Sequence, residues 1–441
     1  MLALQAFYLC VSSGLALKAW TYRRDWGDVM LKKIGWGVLA VVLVLAAGAF
    51  YFRQDIAEIR AVMAYADAFK PENIDQKFRS LYKEYASTTV KAPEETYALP
   101  REHRAAPMPE SFVYKGETAS TADYILDSHT TGLAIMHNGK LIHEYYDRGN
   151  TAETHAIQMS VSKSMASILV GVALDEGYID SVDDQVVKYV PELKGTAYDG
   201  VRLKDVLEMS SGVRWNEDYA DLNSDIVQSV VAILLGSQDE FTKDVPRELE
   251  PGTYNRYSSI DTHVVGWVLR GATGKPYKEW FNEKLWSKLG AESSAELMVD
   301  QEGEPVVFGG VNIRLRDMLR VGMVLERGGL NHKGERIVSE EWIKTSITPD
   351  DPRLMPGYNN PQSPSPLGYK YQWWLPLESD QGDFTAIGIH GQFIYVNPAR
   401  NVVIAKTSTY PAYQRDKEMV KMKSIALFQT IARHLSDVPN S

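Results

Sequence analysis

The chain has 441 residues, which is enough for one large domain or two ordinary ones. Its formal net charge of −10 argues against nucleic acid as a partner, because a phosphate backbone is bound through clustered lysine and arginine. Cys10 is the single cysteine, so the sequence after the N-terminal region is expected to contain no disulfide, no cysteine metal site and no cysteine nucleophile.

The N-terminal region is predicted to anchor the protein in a membrane. Residues 34–52 are 19 uncharged and largely apolar residues, long enough for a helix that crosses a bilayer. Arg23, Arg24, Lys32 and Lys33 precede this segment, so the positive-inside rule puts the charged stretch that contains them in the cytoplasm. Residues 1–33 are expected to be a cytoplasmic or weakly hydrophobic extension, and whether residues 1–20 span the membrane stays open. The expected location is then the inner membrane of a bacterial cell, with the rest of the chain periplasmic or extracellular. Two alternatives stay open. The segment could be a signal peptide that is cleaved after Ala49, and the protein could start at Met30 rather than Met1.

The segment that follows is expected to connect the anchor to a folded domain. Residues 53–114 are predicted to be a helical stalk or a wrapping segment. Within them, residues 55–70 have the pattern of an amphipathic helix, and residues 71–110 are polar and end in a proline-rich stretch. Residues 115–441 are predicted to form the functional domain.

Two hairpins and the helices between them indicate the fold of this domain. Residues 133–146 contain two β-type runs around Asn138-Gly139, the strongest short hairpin signal, and residues 393–405 give a second hairpin. Short helices and loops fill residues 180–360, and an amphipathic helix closes the chain at about 416–435. We therefore expect an α+β fold, in which an antiparallel sheet from both ends of the domain carries helices on its faces and an inserted helical subdomain.

A serine and a lysine three residues apart form the first candidate site. Apolar residues at helical spacing predict a helix from about Ser160 to Gly177, with Ser160 on its first turn and Lys163 on the same face. Serine is a poor nucleophile unless a base takes its proton, and a buried lysine can be neutral enough to do so. The same pattern occurs at Ser80 and Lys83 among charged residues, where we interpret Ser80 as a solvated helix residue.

A tyrosine in a loop forms the second candidate. Pro251-Gly252 forces a turn, and Tyr257 follows just ahead of a helix predicted to start near His263, with Asp261 and Thr262 as its capping residues. A loop tyrosine is otherwise a half-buried packing residue, so Tyr257 gains interest from the serine and lysine that precede it.

Four motifs in consistent order carry a family resemblance. Residues 160–163, 207–215, 251–259 and 388–392 together resemble the class C β-lactamase-related serine hydrolases, in particular the branch with 6-aminohexanoate-dimer hydrolase and related carboxylesterases. The resemblance covers about residues 115–435. It implies a β-lactamase/transpeptidase-like fold and a serine hydrolase that acts on a small-molecule ester or amide without metal or cofactor.

The resemblance also implies a role for each matching residue. Ser160 would be the nucleophile that forms an acyl-enzyme, and Lys163 would accept or relay its proton. Tyr257, with a pKa lowered by the nearby lysine, would act as general base and then as acid to the leaving group.

The remaining site residues differ from the β-lactamase pattern. Ser259 stands where these β-lactamases carry asparagine, and Ile389-His390-Gly391 stands where they carry Lys-Thr-Gly. The oxyanion hole is expected to combine the N–H groups of Ser160 and Ile389. His390 either lines the pocket or packs in the interior, and Ser259 and Gly391 are also assigned to the oxyanion or substrate-binding part of the site.

Esterase or amidase activity is therefore favoured, and two alternatives stay open. One is β-lactamase or D-amino-acid peptidase activity at the same site; the other is a non-catalytic, penicillin-binding-like surface protein. Lys406-Thr407-Ser408 does occur, but it ends the following strand, so the role of the family lysine is not assigned to Lys406.

Overall fold

The structure is a computed structural model that describes residues 36, 38, 39 and 42, then 53–104 and 107–437. The chain divides into two compact units, Met1–Ile59 and Arg60–Ser441. The second unit has the predicted α+β architecture with antiparallel sheets.

Helices and strands alternate irregularly along the described chain. The helices are α1 (Arg53–Ala68), α2 (Ile74–Lys77), α3 (Leu81–Glu84), α4 (Thr121–Asp127), α5 (Val161–Asp175), α6 (Leu203–Leu207), α7 (Asp225–Leu235), α8 (Gln238–Asp244), α9 (Ser259–Thr273), α10 (Tyr277–Lys284), α11 (Leu315–Glu326), α12 (Glu340–Ile347) and α13 (Tyr413–Asp437). The strands are β1 (Ser87–Val90), β2 (Ser111–Tyr114), β3 (Glu117–Ser120), β4 (Thr130–His137), β5 (Lys140–Tyr146), β6 (His155–Ile157), β7 (Ala295–Met298), β8 (Val311–Arg314), β9 (Gly368–Lys370), β10 (Trp373–Leu375), β11 (Phe384–Gly388), β12 (Gln392–Asn397) and β13 (Val402–Ser408).

The main sheet joins strands from both ends of the domain, as predicted. Its order is β5-β4-β13-β12-β11-β10-β9, and every neighbouring pair is antiparallel. Asn138 and Gly139 both have positive φ, which is what a two-residue hairpin turn between β4 and β5 requires. Alternate residues of β4 face opposite sides: Leu133 belongs to the cluster that includes α13, and Ala134 to the cluster that includes α11.

Helix α5 lies in the interior and positions the candidate serine. All its residues from Val161 to Ala173 are buried, and it packs against α9, α10, α12, β11 and β12. Gly171 permits one of these contacts, because a Cβ there would come 2.2 Å from Trp342 Cδ1. Trp342 Nε1 donates to the backbone oxygen of Ser167 at 3.0 Å, so α5 is fixed by side chains from distant parts of the chain.

Residues 60–114 pack against the rest of their unit. Tyr65, Ile74, Phe78 and Leu81 are buried, and β1 pairs with β7 in a second sheet of order β1-β7-β8-β6. Residues 60–114 therefore contribute a strand to this second sheet. The last strand of the sheet, β6, leads directly to the candidate serine at the start of α5. The boundary predicted near residue 115 stays a prediction.

The prediction of a membrane anchor is wrong. Among the described residues no helix is long and apolar enough to cross a membrane, so neither the transmembrane helix nor the inner-membrane location derived from it is supported. Most of residues 34–52 lie outside the described residues. The first helix that is described without gaps, α1, cannot take this role, because 16 residues are too few to span a bilayer and its sequence includes Glu58 and Arg60.

Candidate active site

Ser160 lies at the N-terminal end of α5, next to a strained residue. Met159, which links β6 to this end, has a φ of 48°, a left-handed conformation that non-glycine residues rarely adopt. Ser160 is the N-cap residue, and its side chain makes no capping hydrogen bond. The hydroxyl is therefore available for other partners.

Lys163 is the partner of Ser160. Its Nζ donates hydrogen bonds to Ser160 Oγ and to the backbone oxygen of Phe308, both at 2.8 Å. Burial lowers the pKa of this amine to about 7, while the charge of Glu217 acts in the opposite direction. A large fraction of Lys163 is thus neutral near pH 7, and a neutral amine in this position can accept the Ser160 proton.

Tyr257 faces the same two residues. Lys163 Nζ lies 5.3 Å from the centre of its ring, and the ring stacks on Trp374 at a centroid distance of 5.3 Å. Burial and then Glu217 raise the pKa of Tyr257 well above its usual value, and a side-chain hydrogen bond with Ser160 opposes this rise. The expected lowering by lysine does not occur, because burial is the largest influence on this phenol. Tyr257 is therefore a protonated phenol at neutral pH.

The motif at residues 207–215 holds the Tyr257 loop in place. Asn255 Nδ2 donates to the backbone oxygen of Glu208 at 2.7 Å, and Ser211 Oγ donates to Asp261 Oδ1 at the same distance. Asp261 also accepts a hydrogen bond from Tyr198, and burial raises its pKa to about 7. Helix α9 starts at Ser259, earlier than predicted, so Asp261 lies in its first turn rather than before it.

Glu217 was not recognised from the sequence. Its carboxylate accepts hydrogen bonds from the Ser259 hydroxyl at 2.5 Å, the Ser259 N–H at 3.0 Å and Tyr219 Oη at 3.0 Å, and from Trp215 Nε1. Ser259 is thus engaged with Glu217 inside the protein. No motif marks Glu217, and the one available signal is its position two residues after the motif at residues 207–215.

The turn between β11 and β12 contributes Ile389 to the site. Gly388, the last residue of β11, lies so close to the chain before Ser160 that a Cβ would be 2.6 Å from the backbone oxygen of Gln158. This approach brings Ile389 beside Ser160, and both residues line the same cavities. Gly391 has a φ of 98°, and a Cβ there would meet Ser408 at 3.0 Å, so its role is in the turn.

His390 is a packing residue. Its ring stacks on Phe69 at 5.3 Å, and its Nδ1 donates to the backbone oxygen of Tyr410 at 2.8 Å. Burial lowers the pKa of His390 to about 4, so it is neutral. Of the two interpretations of His390, the geometry agrees with interior packing, since it is absent from the described lining of both cavities at Ser160.

Two cavities meet at Ser160. The polar cavity has a volume of about 570 Å³, and Arg256, Glu217 and Lys421 are among its lining residues. Two of its basic groups are paired, Arg256 with Glu248 at 2.6 Å and Lys421 with Glu418 at 2.9 Å. The apolar cavity has a volume of about 120 Å³ and extends from the other side of the serine. Residues common to both linings are Ser160, Tyr219 and Ile389.

The described residues lack the ligand cluster that a metal ion requires. Within residues 53–104 and 107–437, no group of three or more His, Cys, Asp or Glu side chains could hold a metal ion. The absence of a cofactor stays a prediction.

Comparison with known families identifies the chain. The family model described as beta-lactamase matches residues 121–422, a range that contains Ser160, Lys163, Tyr257 and Ile389. The chain belongs to the β-lactamase family. The resemblance inferred from the motifs is thereby confirmed, and this β-lactamase-family protein is a serine hydrolase.

Individual relatives agree with this assignment. The chain is 32% identical over 290 residues to the 6-aminohexanoate-dimer hydrolase of Paenarthrobacter ureafaciens, which corresponds to 64% of this chain and 73% of the relative. Its fold is similar to that of a "putative 6-aminohexanoate-dimer hydrolase" from Bacillus anthracis, with a TM-score of 0.74, 21% identity and coverage of 85% and 97% of the two chains. A family VIII carboxylesterase has a TM-score of 0.52 at 18% identity, with coverage of 71% of this chain and 95% of the esterase.

Proposed function

We propose that this protein hydrolyses a small-molecule ester or amide through an acyl intermediate on Ser160. The observation that carries the proposal is the 2.8 Å contact between Lys163 Nζ and Ser160 Oγ, at the point where the two cavities meet. The similarity to a 6-aminohexanoate-dimer hydrolase and to a carboxylesterase supports the same range of substrates.

Acylation uses the protonation states described above. Neutral Lys163 takes the proton of Ser160 as Oγ attacks the carbonyl carbon of the substrate. The N–H groups of Ser160 and Ile389 are the proposed donors to the oxyanion that develops. As the bond to the leaving group breaks, the Tyr257 phenol gives its proton to the leaving oxygen or nitrogen, and the Lys163 ammonium returns a proton to Tyr257.

Deacylation runs the same transfers in reverse. A water molecule attacks the ester carbon of acyl-Ser160, and its proton passes through Tyr257 to Lys163. The acyl–oxygen bond to Ser160 then breaks, and Oγ recovers its proton as the carboxylic acid leaves. Each cycle consumes one water and returns Ser160, Lys163 and Tyr257 to their starting states.

Esters or amides other than carboxylate-bearing penicillins are the proposed substrates. Ile389-His390-Gly391 supplies no cation to the pocket, and Lys406 does not replace the missing lysine. Lys406 Nζ is fully buried 5.9 Å from the centre of the Phe393 ring and is absent from the described lining of both cavities. The Ser259 hydroxyl donates its hydrogen bond to Glu217, so it is not available as a donor to a ligand.

Comparison of two leaving groups in Tyr257→Phe tests this mechanism. The wild-type protein is expected to hydrolyse both p-nitrophenyl acetate and the corresponding acetanilide. Loss of the phenol should reduce kcat/KM for the anilide by about 10²–10⁴-fold, the usual contribution of a general acid. The ester should lose much less, because p-nitrophenolate leaves without a proton. Phenylalanine preserves the stacking on Trp374.

Tyr369→Phe is the matched control for this variant. Tyr369 packs edge-to-face on Tyr257 at 5.8 Å but lies outside the described lining of both cavities, so both rates should stay close to those of the wild type. Equal losses for the ester and the anilide in Tyr257→Phe would contradict the acid role. A wild-type protein that hydrolysed neither substrate would contradict the proposed function.

Glu217 is proposed as a positioning residue whose charge partly offsets the effect of burial on the pKa of Lys163. Because its negative charge raises the pKa of Lys163, Glu217→Gln should shift the acidic limb of the pH profile of kcat/KM to lower pH. Glutamine fits the site: its oxygen can accept from the Ser259 N–H and Trp215 Nε1, while its NH₂ donates to the rotatable hydroxyls of Ser259 and Tyr219.

Glu248→Gln supplies the control for Glu217. Glu248 lines the polar cavity but pairs with Arg256, and its charge is not among those that shift the pKa of Lys163. The acidic limb of the pH profile of kcat/KM is expected to lie at the same pH in Glu248→Gln as in the wild type. A Glu217→Gln profile whose limb stays in place or moves to higher pH would show that Glu217 has only a structural role.

A further inference from the structure

The apolar cavity at Ser160 has no function in the mechanism described so far. Apart from Ser160 and two glycines, its lining consists of apolar and aromatic residues. Helix α7 supplies Ile233 and Leu234, and the loop before β8 supplies Phe308. A cavity of this composition favours an apolar occupant, because burial of hydrocarbon surface is favourable.

One wall of the apolar cavity comes from outside the family region. Tyr65, Ala68 and Phe69 of α1, together with Leu81 and Tyr85, precede residue 121, where the β-lactamase match begins. This wall is fixed in place. Tyr65 and Ala68 are buried, the rings of Tyr65 and Phe69 are 4.8 Å apart, and Tyr65 Oη donates to the backbone oxygen of Tyr219 at 3.4 Å. The wrapping segment therefore closes one side of the active site.

The position of Tyr257 decides which part of the substrate enters each cavity. Tyr257 lines the polar cavity and is absent from the described lining of the apolar one. In the proposed mechanism its phenol protonates the leaving group, so the leaving group lies in the polar cavity. The acyl chain then extends in the other direction from the carbonyl carbon, past Ser160 and Ile389 into the apolar cavity.

The volume of the apolar cavity limits the length of that chain. A cavity of about 150 Å³ lined by Leu, Ile and Phe holds one benzene molecule. The apolar cavity, at about 120 Å³, is slightly smaller. We infer that it is the acyl-chain site, and that the enzyme acts on esters or amides of unbranched apolar acids of about four to six carbons. This inference rests on the proposed function.

A series of p-nitrophenyl esters from acetate to decanoate tests the inference. For the wild type, kcat/KM should rise about fourfold for each added methylene, which corresponds to about 0.8 kcal/mol, up to the butanoate-to-hexanoate range and then fall. In Leu234→Trp the larger side chain occupies the cavity, so the ratio of kcat/KM for hexanoate to that for acetate should fall at least about tenfold. The ratio is independent of the fraction of protein that folds.

The neighbouring residue provides the matched control. Leu235 is 43% exposed, lies on the same helix and is absent from the described lining of the cavity, so Leu235→Trp should keep the wild-type ratio. Ala68→Leu should lower the ratio in the same way as Leu234→Trp, since it narrows the wall formed by the wrapping segment. A wild-type profile without chain-length preference, or an unchanged ratio in Leu234→Trp, would overturn the inference.

A separate measurement distinguishes failure of the inference from failure of the proposed function. If no ester is hydrolysed, the proposed function fails, and the cavity is tested by calorimetry with hexanamide and acetamide on Ser160→Ala. Binding of hexanamide but not of acetamide to Ser160→Ala supports the apolar site if the double variant Ser160→Ala/Leu234→Trp no longer binds hexanamide. Absence of hexanamide binding overturns it.

Discussion

Ser160→Ala is expected to lose at least about 10³-fold in kcat/KM for p-nitrophenyl acetate, because no acyl-enzyme can form without the Oγ nucleophile. The change removes one oxygen, and Lys163 keeps its hydrogen bond to the backbone oxygen of Phe308, so the site should retain its shape. A fluorophosphonate probe gives a second readout. The wild type should gain the mass of the phosphonyl group on the peptide that contains Ser160, and Ser160→Ala should gain none.

Ser80→Ala is the matched control, since Ser80 and Lys83 repeat the spacing of Ser160 and Lys163. Ser80 Oγ donates a hydrogen bond to the Glu84 carboxylate at 2.7 Å and lies within 3.0 Å of the backbone oxygen of Gln76. Glu84 is paired with Lys77, and Ser80 is absent from the described lining of both cavities at Ser160, so this variant should retain the wild-type rate and the label. Equal rates in the wild type and Ser160→Ala would contradict the assignment of the nucleophile.

The difference between these two serines explains what the sequence could predict. Around Ser160 the signals are local and agree with one another: helical spacing of apolar residues, a lysine one turn later, and other motifs in a fixed order. The Asn138-Gly139 hairpin is equally local, because a two-residue turn with positive φ depends mainly on its own residues. Such features fixed the α+β fold and the family in advance of the structure.

Features that depend on contacts between distant segments were missed. Glu217 contacts its near neighbours Trp215 and Tyr219, but it acquires its role from Ser259, 42 residues away along the chain, and that contact exists only in the folded protein. The pKa of Tyr257 was expected to fall because a lysine was near, yet burial raises it. A spacing pattern contains no information about desolvation, and desolvation is the largest cause of the shift.

The membrane prediction was wrong for a related reason. The apolar length of residues 34–52 predicts a membrane span, but no helix among the described residues has the length and hydropathy that a span needs. The amphipathic helix predicted at residues 55–70, which was expected to belong to a stalk, supplies buried Tyr65 and Ala68 to the wall of the apolar cavity. Hydropathy alone did not distinguish a connecting segment from one that completes a core.

Lys163→Met is expected to lower kcat/KM by about 10²–10⁴-fold and to change its pH dependence. Neutral lysine is the proposed base, and the neutral fraction grows as the pH rises through a pKa of about 7. The wild-type kcat/KM should therefore rise with pH, reach half its maximum near pH 7 and level off above it. Methionine has a similar length and no proton to exchange, so the residual activity of Lys163→Met should lack this limb.

Lys406 offers an internal control, because burial lowers its pKa to about 7 as well. Its Nζ has no hydrogen-bond partner among the described residues, and Lys406 is absent from the described lining of both cavities. Lys406→Met should therefore keep the limb near pH 7. It should also unfold at a higher temperature at pH 7, since a lysine whose folded pKa lies below its unfolded value destabilises the fold at every pH below that unfolded value. If the rise of kcat/KM near pH 7 persists in Lys163→Met, or disappears in Lys406→Met, the group that titrates is not Lys163. Ser160 would then be without its proposed base.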